Sequence, residues 1–200
     1  MLIAKCLPFI RDYVDGLNSV LKETLDSQGL SRLQAYWLSF VILGVLVTNT
    51  VCWKRFDRYS LGSYSESAMG WMFRKAKIGW DMLLRASVLR IVAAYGITSG
   101  VLVVDDTDNE RSKNTSQIAK VHKIRDKKRA GFFNGQTIVF LVLVSDALTI
   151  PVGFEFYEPD PKQKVWRKEE KRLIEKGVAK RYRPKQPPSD PAYPNKKELG

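Results

Sequence analysis

The stretch 101-VLVVDDTDNERSK-113 decides the fold, because it joins four apolar residues to a cluster of carboxylates without a break. The carboxylates are Asp105, Asp106 and Asp108, and two basic residues follow directly. An unbroken apolar run predicts a strand that is covered on both faces and is therefore central in its sheet. Asp105 would then lie at the end of that strand, at the rim of the sheet, where binding sites are commonly built.

The spacing of the apolar residues divides the chain into a helical and a strand-rich part. Before Gly96 apolar residues recur at helical spacing, in the segments 17–25, 30–47, 68–78 and 80–95. After it, residues 97–104, 137–145 and 148–157 predict three strands, and the short turn at Asp146 and Ala147 makes the last two an antiparallel hairpin. We therefore expect an α+β fold with residues 1–96 helical, residues 97–161 forming a sheet, and residues 162–200 forming a basic helix and an extended tail.

The charge balance points to a polyanionic partner. The chain has 33 Lys and Arg against 21 Asp and Glu, which gives a net charge of +12. Nucleic acid and an anionic membrane surface both fit this balance, and so does a soluble protein that is merely basic. The run 111–129 concentrates the cations, so it predicts phosphate contacts, with a solvated loop as the alternative. Its candidate DNA-binding residues are Arg111, Lys113, Lys120, Lys123, Arg125, Lys127, Lys128 and Arg129.

Several classes of protein are disfavoured by composition. Two cysteines and one histidine do not supply the three or four ligands of a Cys/His zinc site. His122 lies in a basic run without a nucleophile motif, so we expect it to be a bystander or a phosphate contact. Residues 33–53 carry no charge, and that length could span a bilayer or form the central helix of a helical domain.

The acidic cluster has two physical interpretations. Crowded carboxylates repel one another, and a hard divalent cation such as Mg²⁺ relieves that repulsion while also binding phosphate oxygens. The basic residues that follow would then hold a phosphate backbone against the metal. Alternatively, the residues from Asp106 to Asn109 simply turn the chain in solvent.

The string from residue 101 to residue 159 resembles the start of the catalytic domain of bacterial insertion-sequence transposases, which belong to the DDE, ribonuclease H-like superfamily. The shared pattern is a strand, an Asp-x-Thr motif at Asp105, a long basic connection, a long apolar strand, and a third strand through Pro-Val-Gly. The resemblance covers about residues 97–161. The helical first part is similar to the domain with which such transposases bind element ends.

The resemblance implies the first three strands of an incomplete ribonuclease H-like sheet. It makes Asp105 the first of three catalytic carboxylates and a ligand to Mg²⁺ or Mn²⁺ in DNA strand cleavage and transfer. It also implies double-stranded DNA at element ends as the partner, allows a homodimer on that DNA, and places the chain at the nucleoid in the bacterial cytoplasm. No membrane is expected on this interpretation.

The sequence departs from the family after Tyr157, where no further strand of the form apolar-apolar-Asp follows. We therefore expect a truncated transposase that carries one catalytic carboxylate of three and has little or no cleavage activity alone. The first alternative is a stand-alone DNA-binding regulator or inhibitor of transposition. The second is a membrane-associated basic protein anchored through residues 33–53.

Overall fold

The structure is a computed structural model that describes residues 7–111, 118–126 and 128–199. The chain divides into two compact units, Met1–Thr98 and Ser99–Gly200. Helices form the first unit and an antiparallel sheet forms the core of the second. The predicted α+β class, with helices before strands, is confirmed.

The helical unit contains five helices. They are α1 (Pro8–Glu23), α2 (Arg32–Thr48), α3 (Trp53–Tyr59), α4 (Glu66–Lys75) and α5 (Trp80–Ala94). The sequence prediction started α1 too late, although Pro8 at its first position is a helix-start signal, and it missed α3, which is too short to show a period. The apolar stripe of α1 is buried, and its residues are Ile10, Val14, Leu17 and Leu21.

Helix α2 is the core helix of this unit. It begins with a capping box in which Ser31 and Gln34 satisfy each other's backbone N–H groups. Trp37, Phe40 and Leu43 of this helix are all buried. Among the described residues no single helix has the length and apolar composition to cross a membrane. Helices α2 and α3 have that length and composition only when they are taken together, and the chain bends by 87° between them.

The second unit is organised around one long central strand. Its strands are β1 (Val101–Glu110), β2 (His122–Arg125), β3 (Phe132–Val144) and β4 (Thr149–Tyr157). The central strand is β3. Strand β1 pairs with one edge of β3, while β2 and β4 pair with successive parts of the other edge of β3, and all pairs are antiparallel. The predicted hairpin of the last two strands is confirmed.

The position of β1 corrects the sequence prediction. The predicted strand 97–104 instead runs from Val101 to Glu110, and within the described residues it pairs with β3 alone. Every residue of β1 is exposed, including Val101 at 64% and Val103 at 41%. The prediction of a central strand was wrong. A central strand has a paired strand along each edge, and apolar residues on both faces of a strand do not supply these neighbours or cover its faces. The acidic cluster consequently lies within the strand and not at its end.

The C-terminal segment packs back onto its own unit. Helix α6 (Pro161–Glu175) is followed by a short 3-10 helix, Lys180–Tyr182, and an irregular tail. The tail was predicted to be extended, and it is held along α6 by side-chain hydrogen bonds. Gln163 Nε2 donates to the carbonyl of Pro187 at 2.6 Å, and Trp166 Nε1 donates to that of Pro184 at 2.9 Å.

Candidate nucleic-acid interface and carboxylate cluster

The three predicted carboxylates lie on two faces of the sheet. Successive side chains of a strand point to opposite faces, and paired residues of neighbouring strands share a face. Asp106 and Asp108 pair with Val139 and Thr137, which are both buried. Asp105 therefore lies on the opposite face, and the cluster that is compact in sequence does not converge in space.

Each of these carboxylates has a different protein partner. Asp106 Oδ2 accepts from Lys196 Nζ at 2.7 Å, and Asp108 Oδ1 accepts from Thr137 Oγ1 at 2.6 Å. Asp105 Oδ1 accepts only the backbone N–H of the next residue, at 2.8 Å. Of these three carboxylates, that of Asp105 thus has the fewest contacts with the rest of the fold among the described residues.

A hydrogen-bond chain involves the only histidine of the sequence. His122 Nε2 lies 3.3 Å from Thr137 Oγ1, which in turn donates to Asp108. The Nδ1 atom of His122 lies 3.2 Å from the carbonyl oxygen of Lys120, and the His122 ring packs edge-on against the ring of Tyr157, with 5.8 Å between the ring centres. His122 thus joins β2 to the central strand β3, and its prediction as a bystander or phosphate contact stays a prediction.

The family-implied metal site was tested against these positions. Within residues 7–111, 118–126 and 128–199, no group of three or more His, Cys, Asp or Glu side chains is arranged to hold a metal ion. Asp106 and Asp108 are hydrogen-bonded on the face opposite Asp105. The described residues therefore do not form a site for two Mg²⁺ ions by themselves.

Two of the predicted DNA-binding residues have structural partners. Arg111 Nε donates to Gln136 Oε1 at 2.9 Å, and the buried Gln136 also fixes the loop before β2. Lys120 lies 2.8 Å from Glu155 in an ion pair. Its ammonium is the main cause that lowers the pKa of Glu155 below the usual value, followed by the backbone N–H of Phe156. Glu155 therefore partly neutralises Lys120, while Arg111 keeps its charge and is held in place by a neutral amide.

Four other predicted cations are free to meet a ligand. Lys123 and Arg125 lie on β2, and Lys128 and Arg129 lie in the turn that leads into β3. All four are exposed, and no described carboxylate lies within salt-bridge distance of them. Asp126 orders the turn by accepting the backbone N–H groups of Lys128 and Arg129 at 2.8 and 3.0 Å, and these bonds lower its pKa.

Sequence reasoning missed part of this arrangement. The strand β2 was hidden in the basic run, where only the buried Ile124 between Lys123 and Arg125 signals alternation. Lys196 carries no sequence signal, because it meets a carboxylate 90 residues earlier in the chain. The remaining predicted contacts, Lys113 and Lys127, lie outside the described residues.

The chain was compared with known proteins. No protein-family model matches it, and neither a curated protein nor a solved structure does.

Proposed function

We propose that this chain binds double-stranded DNA, and that it does so as a protein of the DDE transposase type. The observation that carries the proposal is the set of four exposed, unpaired cations on β2 and the following turn. A protein that neutralises DNA phosphates with Lys and Arg gains affinity through counterion release. Because these cations have no carboxylate partner among the described residues, no ion pair of the fold has to break when they bind phosphate.

The local backbone supports this role. Strands β2 and β3 form a hairpin whose turn is ordered by Asp126, so that the cations are presented on a defined scaffold. The major groove of DNA admits a two-stranded ribbon of this kind. Binding should then require little ordering of the protein, which reduces the entropic cost of association.

The transposase part of the proposal rests on the Asp-x-Thr motif. In it Asp105 is the first of three carboxylates that would bind Mg²⁺ or Mn²⁺, and the described residues do not group two more with it. Because the described residues do not form that site, no cleavage step is derived from them. We expect the chain alone to bind DNA and to cleave it little or not at all.

A stand-alone DNA-binding regulator is the second candidate function. It is favoured by the engagement of Asp106 and Asp108 with Lys196 and Thr137, which leaves Asp105 and Glu110 as the carboxylates of β1 that bind no other side chain among the described residues. Such a protein would occupy DNA without cutting it. The two candidates share the DNA interface and differ in whether Asp105 ever contributes to chemistry.

A cleavage assay with a parallel affinity measurement tests DNA binding and whether Asp105 contributes to chemistry. Supercoiled plasmid and Mn²⁺ are incubated with the wild-type chain and with Asp105→Ala, while DNA affinity is measured in parallel by fluorescence anisotropy. Equal affinities with no nicking by either protein fit a regulator or an incomplete transposase. Nicking that Asp105→Ala abolishes would establish the enzyme and contradict our expectation of an inactive chain.

A further inference from the structure

A cavity of about 340 Å³ lies between the sheet, α6 and the C-terminal tail. Its volume is at the lower end of the range of about 300–1,000 Å³ that small-ligand sites occupy. Part of its lining comes from the ends of β2 and β4 and part from the tail. The residues that matter for its chemistry are Lys123, Tyr157, Asp160, Lys164, Arg167 and Tyr193.

The cavity wall contains three cations that have no ion-pair partner. Lys123, Lys164 and Arg167 all line it, and none has a carboxylate within salt-bridge distance among the described residues. The wall also contains three acids, of which Asp190 is paired with Lys162 Nζ at 3.1 Å; the other two are Asp160 and Glu198. Cations without an ion-pair partner can bind the oxygens of an anionic ligand such as a phosphate.

One buried acceptor at the cavity also lacks a partner. Asp160 Oδ1 caps α6 by accepting the backbone N–H groups of Lys162 and Gln163. Its Oδ2 is buried and has no hydrogen-bond partner in the part of the chain that the structure describes. A buried polar atom without a partner is costly, so the Asp160 side chain is held at the cavity wall at a cost in stability.

Two aromatic rings complete the cavity wall. Tyr157 at the end of β4 and Tyr193 in the tail both line it. Aromatic side chains beside cations are the elements with which proteins bind unpaired nucleotides, since every base has a face that can stack. The hairpin surface also carries an exposed aromatic residue, Phe132, so what distinguishes the cavity is that its rings and cations line one concave site.

We propose that this cavity binds one unpaired nucleotide of a DNA strand, with its phosphate on Lys164, Arg167 and Lys123 and its base against Tyr157 or Tyr193. Lys123 is also one of the four hairpin cations, so the two sites adjoin there. The inference rests on the proposed DNA-binding function and names a second, strand-specific site for it. Duplex DNA would be held by the hairpin cations, and the cavity would add affinity only where a strand is unpaired.

The test compares a blunt 20-bp duplex with the same duplex carrying a short single-stranded overhang. The variant Lys164→Ala/Arg167→Ala removes two cavity cations, and Lys168→Ala/Lys176→Ala removes two exposed cations of the same segment that do not line the cavity. We expect the wild type to prefer the overhang duplex. The cavity variant should lose about tenfold in affinity for it and little for the blunt duplex, while the control variant should change both equally.

A second measurement keeps the cavity testable if duplex binding fails. Deoxyadenosine 5′-monophosphate is titrated against the isotopically labelled chain, with deoxyadenosine as the probe that lacks phosphate. We expect the nucleotide, and not the nucleoside, to shift the side-chain amide signals of Gln163 and the ring signals of Tyr193, and the cavity variant to abolish these shifts.

The outcomes separate the two ideas. Equal losses for blunt and overhang duplexes in the cavity variant would overturn the cavity proposal and leave DNA binding intact. No binding of either duplex would overturn the proposed function, and the mononucleotide titration would then decide the cavity alone. Nucleotide shifts that survive Lys164→Ala/Arg167→Ala would overturn the assignment. A cavity that binds the mononucleotide but shows no overhang preference would overturn its role in holding a DNA strand.

Discussion

The ammonium of Lys196 lies 2.7 Å from Asp106 Oδ2 and 5.4 Å from the ring centre of Tyr157. The contact links the end of the tail to strand β1 across 90 positions of sequence. A cation already neutralises one carboxylate of the acidic cluster, and that cation is a lysine of the same unit. This contact therefore answers part of the question that the sequence raises about three crowded acids.

Removing Lys196 should loosen the tail without unfolding the sheet. The side chains of Lys196 and Asp106 are each 40% exposed, so solvent screens the pair and its contribution to stability should be at most about 1 kcal/mol. We expect Lys196→Ala to speed hydrogen exchange in residues 190–199 and to leave exchange in β3 unchanged. Lys197→Ala, which removes the same charge from an exposed neighbour, is the control. Equal exchange in both variants would show that the contact does not hold the tail.

Asp105 and Asp108 should differ sharply in their importance for stability. Asp108→Ala removes the carboxylate that accepts from the Thr137 hydroxyl, whose residue is 2% exposed, and leaves that hydroxyl only the longer 3.3 Å contact with His122 Nε2 among the described residues. Losing a hydrogen bond to a charged group should cost about 1–2 kcal/mol. Asp105→Ala removes only an acceptor for an exposed backbone N–H and should stay within about 0.5 kcal/mol. Urea unfolding of both variants checks the difference. If Asp105→Ala were the more destabilising change, the assignment of the two faces would be wrong.

The helical unit contains a close contact that a methyl group would disturb. A Cβ at Gly44 of α2 would lie 2.9 Å from ring carbons of Phe56, whose side chain is 0% exposed. Overpacking of this kind costs about 1–3 kcal/mol, and the better helix propensity of alanine returns at most about 1 kcal/mol. Gly44→Ala should therefore destabilise the unit by about 1 kcal/mol in urea unfolding followed by circular dichroism.

Gly70 provides the matched control, since it is also a buried glycine inside a helix, α4. Its added Cβ would lie 3.2 Å from the flexible end of Arg74 and in ordinary contact with the Trp53 ring, at 3.7 Å. Gly70→Ala should be neutral or stabilise by up to about 1 kcal/mol. A Gly44→Ala protein as stable as Gly70→Ala would contradict the described packing of Phe56 against α2.

Docking of the tail should depend on pH through Asp190 and Lys162. The backbone N–H of Ala192 and then the ammonium of Lys162 lower the pKa of Asp190 below 3.8. The stabilisation from this group is therefore complete above pH 3.8 and is lost as pH falls through its lower folded pKa. Asp190 raises the pKa of Lys162 above 10.5, so that contribution is present below pH 10.5 and is lost as pH rises through the folded value.

The Ala192 amide reports this titration directly. Its NMR chemical shift should change with a midpoint below pH 3.8, and Asp190→Asn should abolish the change. A midpoint at or above pH 3.8 would mean that the tail does not hold Asp190 in the described contacts.

Local sequence patterns predict some strands of the sheet well and others poorly. The long apolar run of β3 and its hairpin with β4 follow from composition and a short turn, because both signals are local. The position of β1 does not, since exposure depends on which neighbours exist and not on the apolar character of Val101 or Val103. Local patterns thus identify a strand more securely than they identify its neighbours.

The candidate site divides in the same way. The four hairpin cations were all among the DNA-binding residues that the sequence predicted. The alternation of side chains along β1 could also have shown that Asp105 and Asp106 lie on opposite faces of the sheet. The partners of the acids could not be predicted, because Thr137 and Lys196 meet them only through strand register and tail docking. The cavity residues Lys164 and Arg167 belong to a helix that the sequence marked only as basic.

The measurement that tests the central claim most directly is the salt dependence of duplex DNA binding by wild type and by Lys123→Ala/Arg125→Ala/Lys128→Ala/Arg129→Ala. Each phosphate contact contributes about 0.9 to the slope of log K against log salt. We predict a steep wild-type slope that falls by about 3–4 in the quadruple variant, with Lys168→Ala/Lys176→Ala nearly unchanged. A slope that is the same in all three proteins, or no duplex binding at low salt, would contradict the hairpin as the DNA interface.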